Sequence, residues 1–203
     1  MIRTRSQAGF TTVELLVAVA VGAIVLGAAV LAFHSGQTTT LSTMDQAEAQ
    51  QKARWGVERI VHEIRGAGLD PCQQPLCANA PPHFDAITNQ GPTTLTIQND
   101  FNGNGLIDAP VGACDPTAVT ERVQYRLANN QLFRSTDPAN AACDVPVVSR
   151  VTALNFTYLD EAGNIPANAS AIRTVVVAVT VESENGGSER SVAMTSRVRI
   201  RNR

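Results

Sequence analysis

Apolar and polar positions fall into three successive patterns along the chain. From Leu15 to Phe33 the residues carry no charge, and the apolar stretch reaches back to Phe10, about 24 residues in all. At about 1.5 Å rise per residue, a helix of that length matches a hydrocarbon core about 30 Å thick. From His34 to Arg65 polar residues return while the apolar ones keep helical spacing. Leu41, Met44, Ala47, Trp55, Ile60, Val61 and Ile64 fall near an i, i+3, i+4, i+7 pattern, with Glu48, Lys52, Glu58 and Arg59 for the wet side. No proline lies between Phe10 and Asp70. One helix of about 55 residues, about 80 Å long, is therefore predicted. Two helices broken near His34-Ser35-Gly36 are the alternative, since Gly22, Gly27 and Gly36 each weaken a helix by about 1 kcal/mol relative to Ala. Gly66 and Gly68 suit a helix end, and Pro71 blocks continuation.

Beyond Leu69 the period shortens to two. Strands are predicted over Thr94–Gln98, Arg122–Leu127, Gln131–Ser135, Val151–Leu159, Thr174–Glu182 and Ser191–Ile200, with hairpin turns at Asn129-Asn130 and at 184–188. Val192, Met194, Val198 and Ile200 share one face of the last strand, and Arg197 and Arg199 lie on the other, as in an antiparallel sheet covered on one side. The helical stretch Gln46 to Ile64 is the natural cover, which gives an α+β fold. The run Arg197-Arg199-Arg201-Arg203 reads as a solvated face.

Composition narrows the picture. The chain has 203 residues, 44% of them apolar, enough for one domain plus an appendage and too apolar for disorder. Only 17% are charged and the formal net charge is −2, which argues against a nucleic-acid binder. Arg3 and Arg5 precede the apolar span, and positive charge there predicts a cytoplasmic N-terminus. A retained span is favoured over a cleaved secretory signal, because Phe33-His34-Ser35-Gly36 is a poor cleavage site. Glu14 is the one charge between Arg5 and Asp45. A carboxylate in lipid costs several kcal/mol unless it finds a partner, so it marks a functional position; a helix-start residue at the membrane interface is the plainer reading.

Gly9-Phe10-Thr11-Thr12-Val13-Glu14-Leu15-Leu16-Val17 resembles the class III signal of type IV pilins and type II secretion pseudopilins. Thr12 departs from the Leu or Ile usual there. The resemblance implies cleavage by a prepilin peptidase between Gly9 and Phe10 and methylation of the new Phe10 terminus. It also implies that Glu14 neutralises the terminal amine of a neighbouring subunit, which offsets much of the penalty of a buried acid. The stretch from Ala53 to Gly68, with its Ile64-Arg65-Gly66-Ala67-Gly68 exit, is similar to PilW-type minor pilins, with GspJ-type pseudopilins as near relatives. The implied organisation is a leader (1–9), a transmembrane and filament-core helix (10–33), an amphipathic helix (34–68) and a periplasmic β-rich head (69–203). The implied route is a single-pass inner-membrane subunit that moves into a pilus at the cell surface. The implied partners are the peptidase, other minor pilins, the major pilin and a tip adhesin, with cell adhesion and motility as the setting. A pseudopilin of a type II secretion or competence filament, or a membrane-tethered calcium-dependent binding domain, are the alternatives.

Cys72, Cys77, Cys114 and Cys143 all follow the span, and an even count on the exported side favours disulfides. Of three pairings, Cys72–Cys77 with Cys114–Cys143 is preferred, because each closes a loop rich in Pro, Ala or Asn; a zinc site lacks Cys-x-x-Cys spacing. Asp100, Asn102, Asn104 and Asp108, with Gly105 at the turn and the Leu106 carbonyl, reproduce most of an EF-hand-type loop, so a structural calcium ion is expected. Val111 stands where a bidentate acid is usual; Asp115, a backbone oxygen or water would have to replace it. An Asn-Gly turn without metal is the competing reading. Catalysis is not expected. His34, His62 and His83 are scattered, His62-Glu63 lacks a second histidine four residues after the first, and Asp160-Glu161 falls in a turn. No Gly-x-Ser-x-Gly, phosphate-loop or dinucleotide pattern occurs.

Overall fold

A computed structural model describes residues 9–71, 84–108, 114, 120–184 and 191–202. Helix α1 runs Thr12–Gly66, followed by strands β1 (Ile87–Gln90), β2 (Thr94–Gln98), β3 (Arg122–Ala128), β4 (Gln131–Ser135), β5 (Asp144–Ser149), β6 (Val151–Leu159), β7 (Thr174–Glu182) and β8 (Ser191–Arg199). One long apolar N-terminal helix with antiparallel sheets packed against it makes the fold α+β, with a pilin-like architecture. The chain divides into two units, 1–44 and 45–203.

The first unit contributes the part of α1 up to Met44. Its large side chains, among them Val13, Leu16, Ile24, Leu31 and Phe33, are all exposed. By length and composition α1 is the one helix among the described residues able to cross a membrane, and none of its most apolar window is buried. The break considered at His34-Ser35-Gly36 does not occur. The run of hydroxyls after it bonds back to the helix itself: Thr38 and Thr39 donate to the Ser35 carbonyl (2.9 Å each), Thr40 to Gly36 (2.9 Å) and Thr43 to Thr39 (2.7 Å). These bonds satisfy the hydroxyls within the helix, the arrangement a mid-helix threonine adopts when its side chain turns back on the preceding turn.

In the second unit, the remainder of α1 lies on the sheets through Ala49, Ala53, Gly56, Val57, Ile60, Val61 and Ile64. This face corrects the one predicted. Ile60, Val61 and Ile64 are buried as expected, but Leu41, Met44, Ala47 and Trp55 are exposed. The contact uses small residues where side chains from the sheet press on the helix backbone. A Cβ added to Gly56 would sit 2.9 Å from Val148 Cγ2. Glu48–Lys52 (2.6 Å) and Arg54–Glu58 (2.7 Å) line the wet side at i, i+4 spacing. The helix end is held from two places: Asn202 Nδ2 donates to the Gly66 carbonyl (3.0 Å), and Gly68, at φ +76°, donates its N–H to Gln98 O of β2 (2.9 Å).

All strand pairs are antiparallel, but they form two sheets rather than one: β1-β2-β3-β4-β5 and β6-β7-β8. Asn129 and Asn130 both take positive φ, which gives the predicted tight turn between β3 and β4. The chain changes sheet at Arg150 (φ +61°), between β5 and β6. Val175, Val177, Val179 and Val181 on β7 are buried, as are Leu154, Phe156 and Tyr158 on β6, and they join the helix side chains in one core.

Candidate functional site

The front of α1 is set by a reciprocal cap. The N–H and hydroxyl of Thr11 donate to Glu14 Oε2 (3.1 and 3.0 Å), and the Glu14 N–H donates to Thr11 Oγ1 (3.3 Å). Three residues apart at a helix start, this is a capping box that satisfies two otherwise orphaned donors. Glu14 is thus held by its own chain, and Thr11, legible in the sequence as the first half of Thr-x-x-Glu, is the residue the sequence reading passed over. Phe10 is 85% exposed, and nothing lies within 4 Å of the space a side chain would take at Gly9. Cleavage between Gly9 and Phe10 therefore meets no packing obstacle among the described residues. It would also leave the Thr11–Glu14 box intact, one residue from the new amine.

The second expected site is the loop 100–108, and its residues do meet. Asp100 is fully buried. Its Oδ1 accepts from Gly103 N–H (2.7 Å) and its Oδ2 from Gly105 N–H (2.8 Å). Gly103 and Gly105 take φ +74° and +78°, the turn that glycine was expected to permit. Asn102 Oδ1 and Asn104 Oδ1 each accept from the N–H two residues on, that of Asn104 and of Leu106. Both asparagine amides donate to Asp108 Oδ2 (2.7 and 2.9 Å). The acid that holds the loop is Glu121, which no local pattern singled out. Its Oε1 accepts from Phe101 and Asn102 N–H, and its Oε2 from Asp108 N–H (2.8 Å). Asp100, Asn102, Asn104 and Asp108 are thus linked to one another and to the loop's own N–H groups, and each accepts a hydrogen bond. Among the described residues no group of three or more His, Cys, Asp or Glu side chains is placed to hold a metal. Val111 and Asp115 lie outside the described residues.

Cys114 and Cys143 are joined in a disulfide, as preferred. It ties Cys114 to the short helical turn Ala141–Cys143, whose start is capped by Asn140. Cys72, Cys77 and His83 lie outside the described residues, and His34 and His62 are exposed on α1.

One further polar cluster lies between helix and sheet, with Glu63 and Arg134 half-buried and Arg59 exposed. Glu63 Oε1 takes Arg134 Nε (2.9 Å) and Arg59 (3.2 Å). Glu63 Oε2 and the Tyr125 hydroxyl are both buried without a partner. Burial, and then the Glu63 charge, push the Tyr125 phenol well above its ordinary pKa; burial alone does the same to Tyr158. The Tyr158 hydroxyl reaches the Gly91 and Thr94 carbonyls (3.1 Å each).

Residues 4–30 match the family model described as the Prokaryotic N-terminal methylation motif. The match covers Gly9, Phe10, Thr11 and Glu14, and it supports a prepilin-type signal of the kind that leads to processing by a prepilin peptidase and assembly with other pilins. No curated protein matches the chain.

Proposed function

We propose that the protein is a minor pilin of PilW type, a non-catalytic subunit that primes assembly of a type IV pilus and sits in or near its tip. The observation that supports this reading is the methylation motif over residues 4–30, leading without interruption into a helix with a fully exposed apolar stretch. Large apolar side chains all round a helix need an apolar surrounding. Lipid supplies it before assembly and a bundle of like helices supplies it afterwards. In this reading the inner membrane holds the subunit with its head on the periplasmic side. Phe10 becomes the methylated terminus, and Glu14 exchanges part of its bonding to Thr11 for the amine of a neighbour. The same observation serves a pseudopilin of a type II secretion or competence filament, and the filament with which the protein co-purifies separates the two.

Mass spectrometry of the mature protein should show N-methylated Phe10; an intact Met1 terminus in cells with an active peptidase overturns the reading. Glu14→Ala should lower incorporation into fibres by roughly a hundredfold, from the few kcal/mol lost when one partner of a buried ion pair is removed. Normal incorporation would count against the amine pairing.

Calcium at the loop 100–108 belongs to the same proposal, in a structural role. The ion would take the oxygens of Asp100, Asn102, Asn104 and Asp108 and the Leu106 carbonyl, replacing the bonds from the asparagine amides to Asp108. Millimolar calcium should raise the melting temperature of the full chain, and Asp100→Asn should abolish the gain; no rise for the unaltered chain rejects the ion.

A further inference from the structure

Arg197, Arg199 and Arg201 are exposed, as a solvated face requires, and Arg203 lies outside the described residues. Arg197, Arg199 and Arg201 line a concavity of about 600 Å³ together with Arg65, Arg173 and Glu161. The fold gathers residues far apart in sequence. Alternation along β8 turns Arg197 and Arg199 away from buried Val198. Ile200 N–H donates to Arg173 O (2.9 Å), which sets the segment after β8 beside the start of β7. Asn202 binds the end of α1, where Arg65 occupies the last turn.

Five guanidinium groups therefore face one carboxylate, in a chain whose net charge is −2. Arg199 pairs with Glu161 (2.9 Å), both largely exposed, and Arg173 donates to the Ser170 and Ile172 carbonyls. Among the described residues no ion pair or hydrogen bond engages the guanidinium groups of Arg65, Arg197 or Arg201.

We propose that this concavity is a binding site for the carboxylate side chains of an acidic protein segment, with Glu161 as the chain's own occupant until the partner arrives. Guanidinium forks suit planar oxyanions and bind them through paired hydrogen bonds. Glu161 shows which oxyanion the geometry already accepts. Val198 and Ile200 are the remaining lining residues, so no aromatic surface is present for stacking bases, and a net-negative chain is a poor match for a phosphate backbone. The inference uses residues 45–203 alone and does not rest on the filament reading.

The test uses the full chain in detergent micelles, with a fluorescein-labelled oligoglutamate peptide followed by anisotropy. A labelled oligothymidylate of equal length and inorganic phosphate serve as comparison probes. The peptide should bind and should weaken as salt rises. Arg197→Ala with Arg201→Ala should weaken it about tenfold with the melting temperature unchanged. Glu161→Gln should tighten it about threefold by removing the internal competitor, and Arg54→Ala, on the wet side of α1, should leave it unchanged. The proposal is overturned if the double variant binds like the unaltered chain, or if Glu161→Gln has no effect. It is overturned equally if Arg54→Ala weakens binding as much as the double variant, or if oligothymidylate or phosphate binds more tightly than the peptide.

Discussion

Helix α1 carries two stretches with opposite packing logic. Up to Met44 its apolar residues are large and exposed: Ile24 is 72% accessible, Leu26 68% and Phe33 69%. From Asp45 onward the buried positions start small, with Ala49, Ala53 and Gly56, and end on Ile60 and Ile64, both fully buried. The first stretch makes a helix that requires an apolar surrounding from outside the chain. The second makes a helix whose surrounding the chain supplies, and it uses small side chains to let the sheet come close. One element of secondary structure thus serves two solvents, and hydrophobicity alone does not tell which stretch is buried in protein.

Equal truncations in the two stretches should separate them most sharply. Ile60→Ala removes a fully buried side chain and should lower the unfolding free energy of the full chain in micelles by about 3 kcal/mol. Ile24→Ala should shift it by less than about 0.5 kcal/mol. Chemical denaturation followed by Trp55 fluorescence measures both, and equal losses would dissolve the distinction. Glycines give a contrast in which the two effects have opposite signs. Gly56→Ala places a methyl 2.9 Å from Val148 Cγ2 and should destabilise by about 1–3 kcal/mol. Gly27→Ala meets nothing within 4 Å and should strengthen the first stretch by about 1 kcal/mol of helix propensity, read as slower amide exchange there.

The same contrast explains what could be read from the sequence. Strands Thr94–Gln98, Gln131–Ser135, Val151–Leu159 and Thr174–Glu182 were legible to the residue, because β-branched and apolar runs bounded by turn residues mark them without tertiary information. β5 was not, since Pro146 marks its run as a non-strand, and β1 was not, since Thr-Asn-Gln carries no apolar alternation. Trp55 misled the reading of the helix face: a large apolar residue draws weight in any periodicity, yet it is 58% exposed while Gly56 beside it is buried. At the front, Gly9, Phe10 and Glu14 were legible because a linear signal needs no tertiary structure. The loop 100–108 was legible as a glycine turn for the same reason, but Glu121, which binds three of its backbone N–H groups, is placed by the start of β3, and sequence spacing gives no hint of that. The arginine concavity was hidden likewise, because its members are brought together by strand pairing and by Asn202.

Alkaline pH provides a probe that reports on one region alone. Both tyrosines of the chain, Tyr125 and Tyr158, lie in the packed unit, and none lies on the exposed stretch of α1. Burial holds both phenols protonated well above the ordinary value near 10, with the Glu63 charge adding to the effect at Tyr125. The unfolded chain releases these protons as pH rises past about 10, whereas the folded chain keeps them. Above that point the unfolded state binds fewer protons, so stability must fall with pH; below it the contribution is constant. With both groups contributing, the slope approaches about 2.7 kcal/mol per pH unit until the folded chain also titrates. Denaturation across this range should show the loss, and tyrosinate absorbance should appear together with unfolding rather than before it. Tyr125→Phe should about halve the slope. The helical signal of the 12–44 stretch should persist through the transition, since no tyrosine there responds to the proton; its simultaneous loss would show that the two regions melt as one.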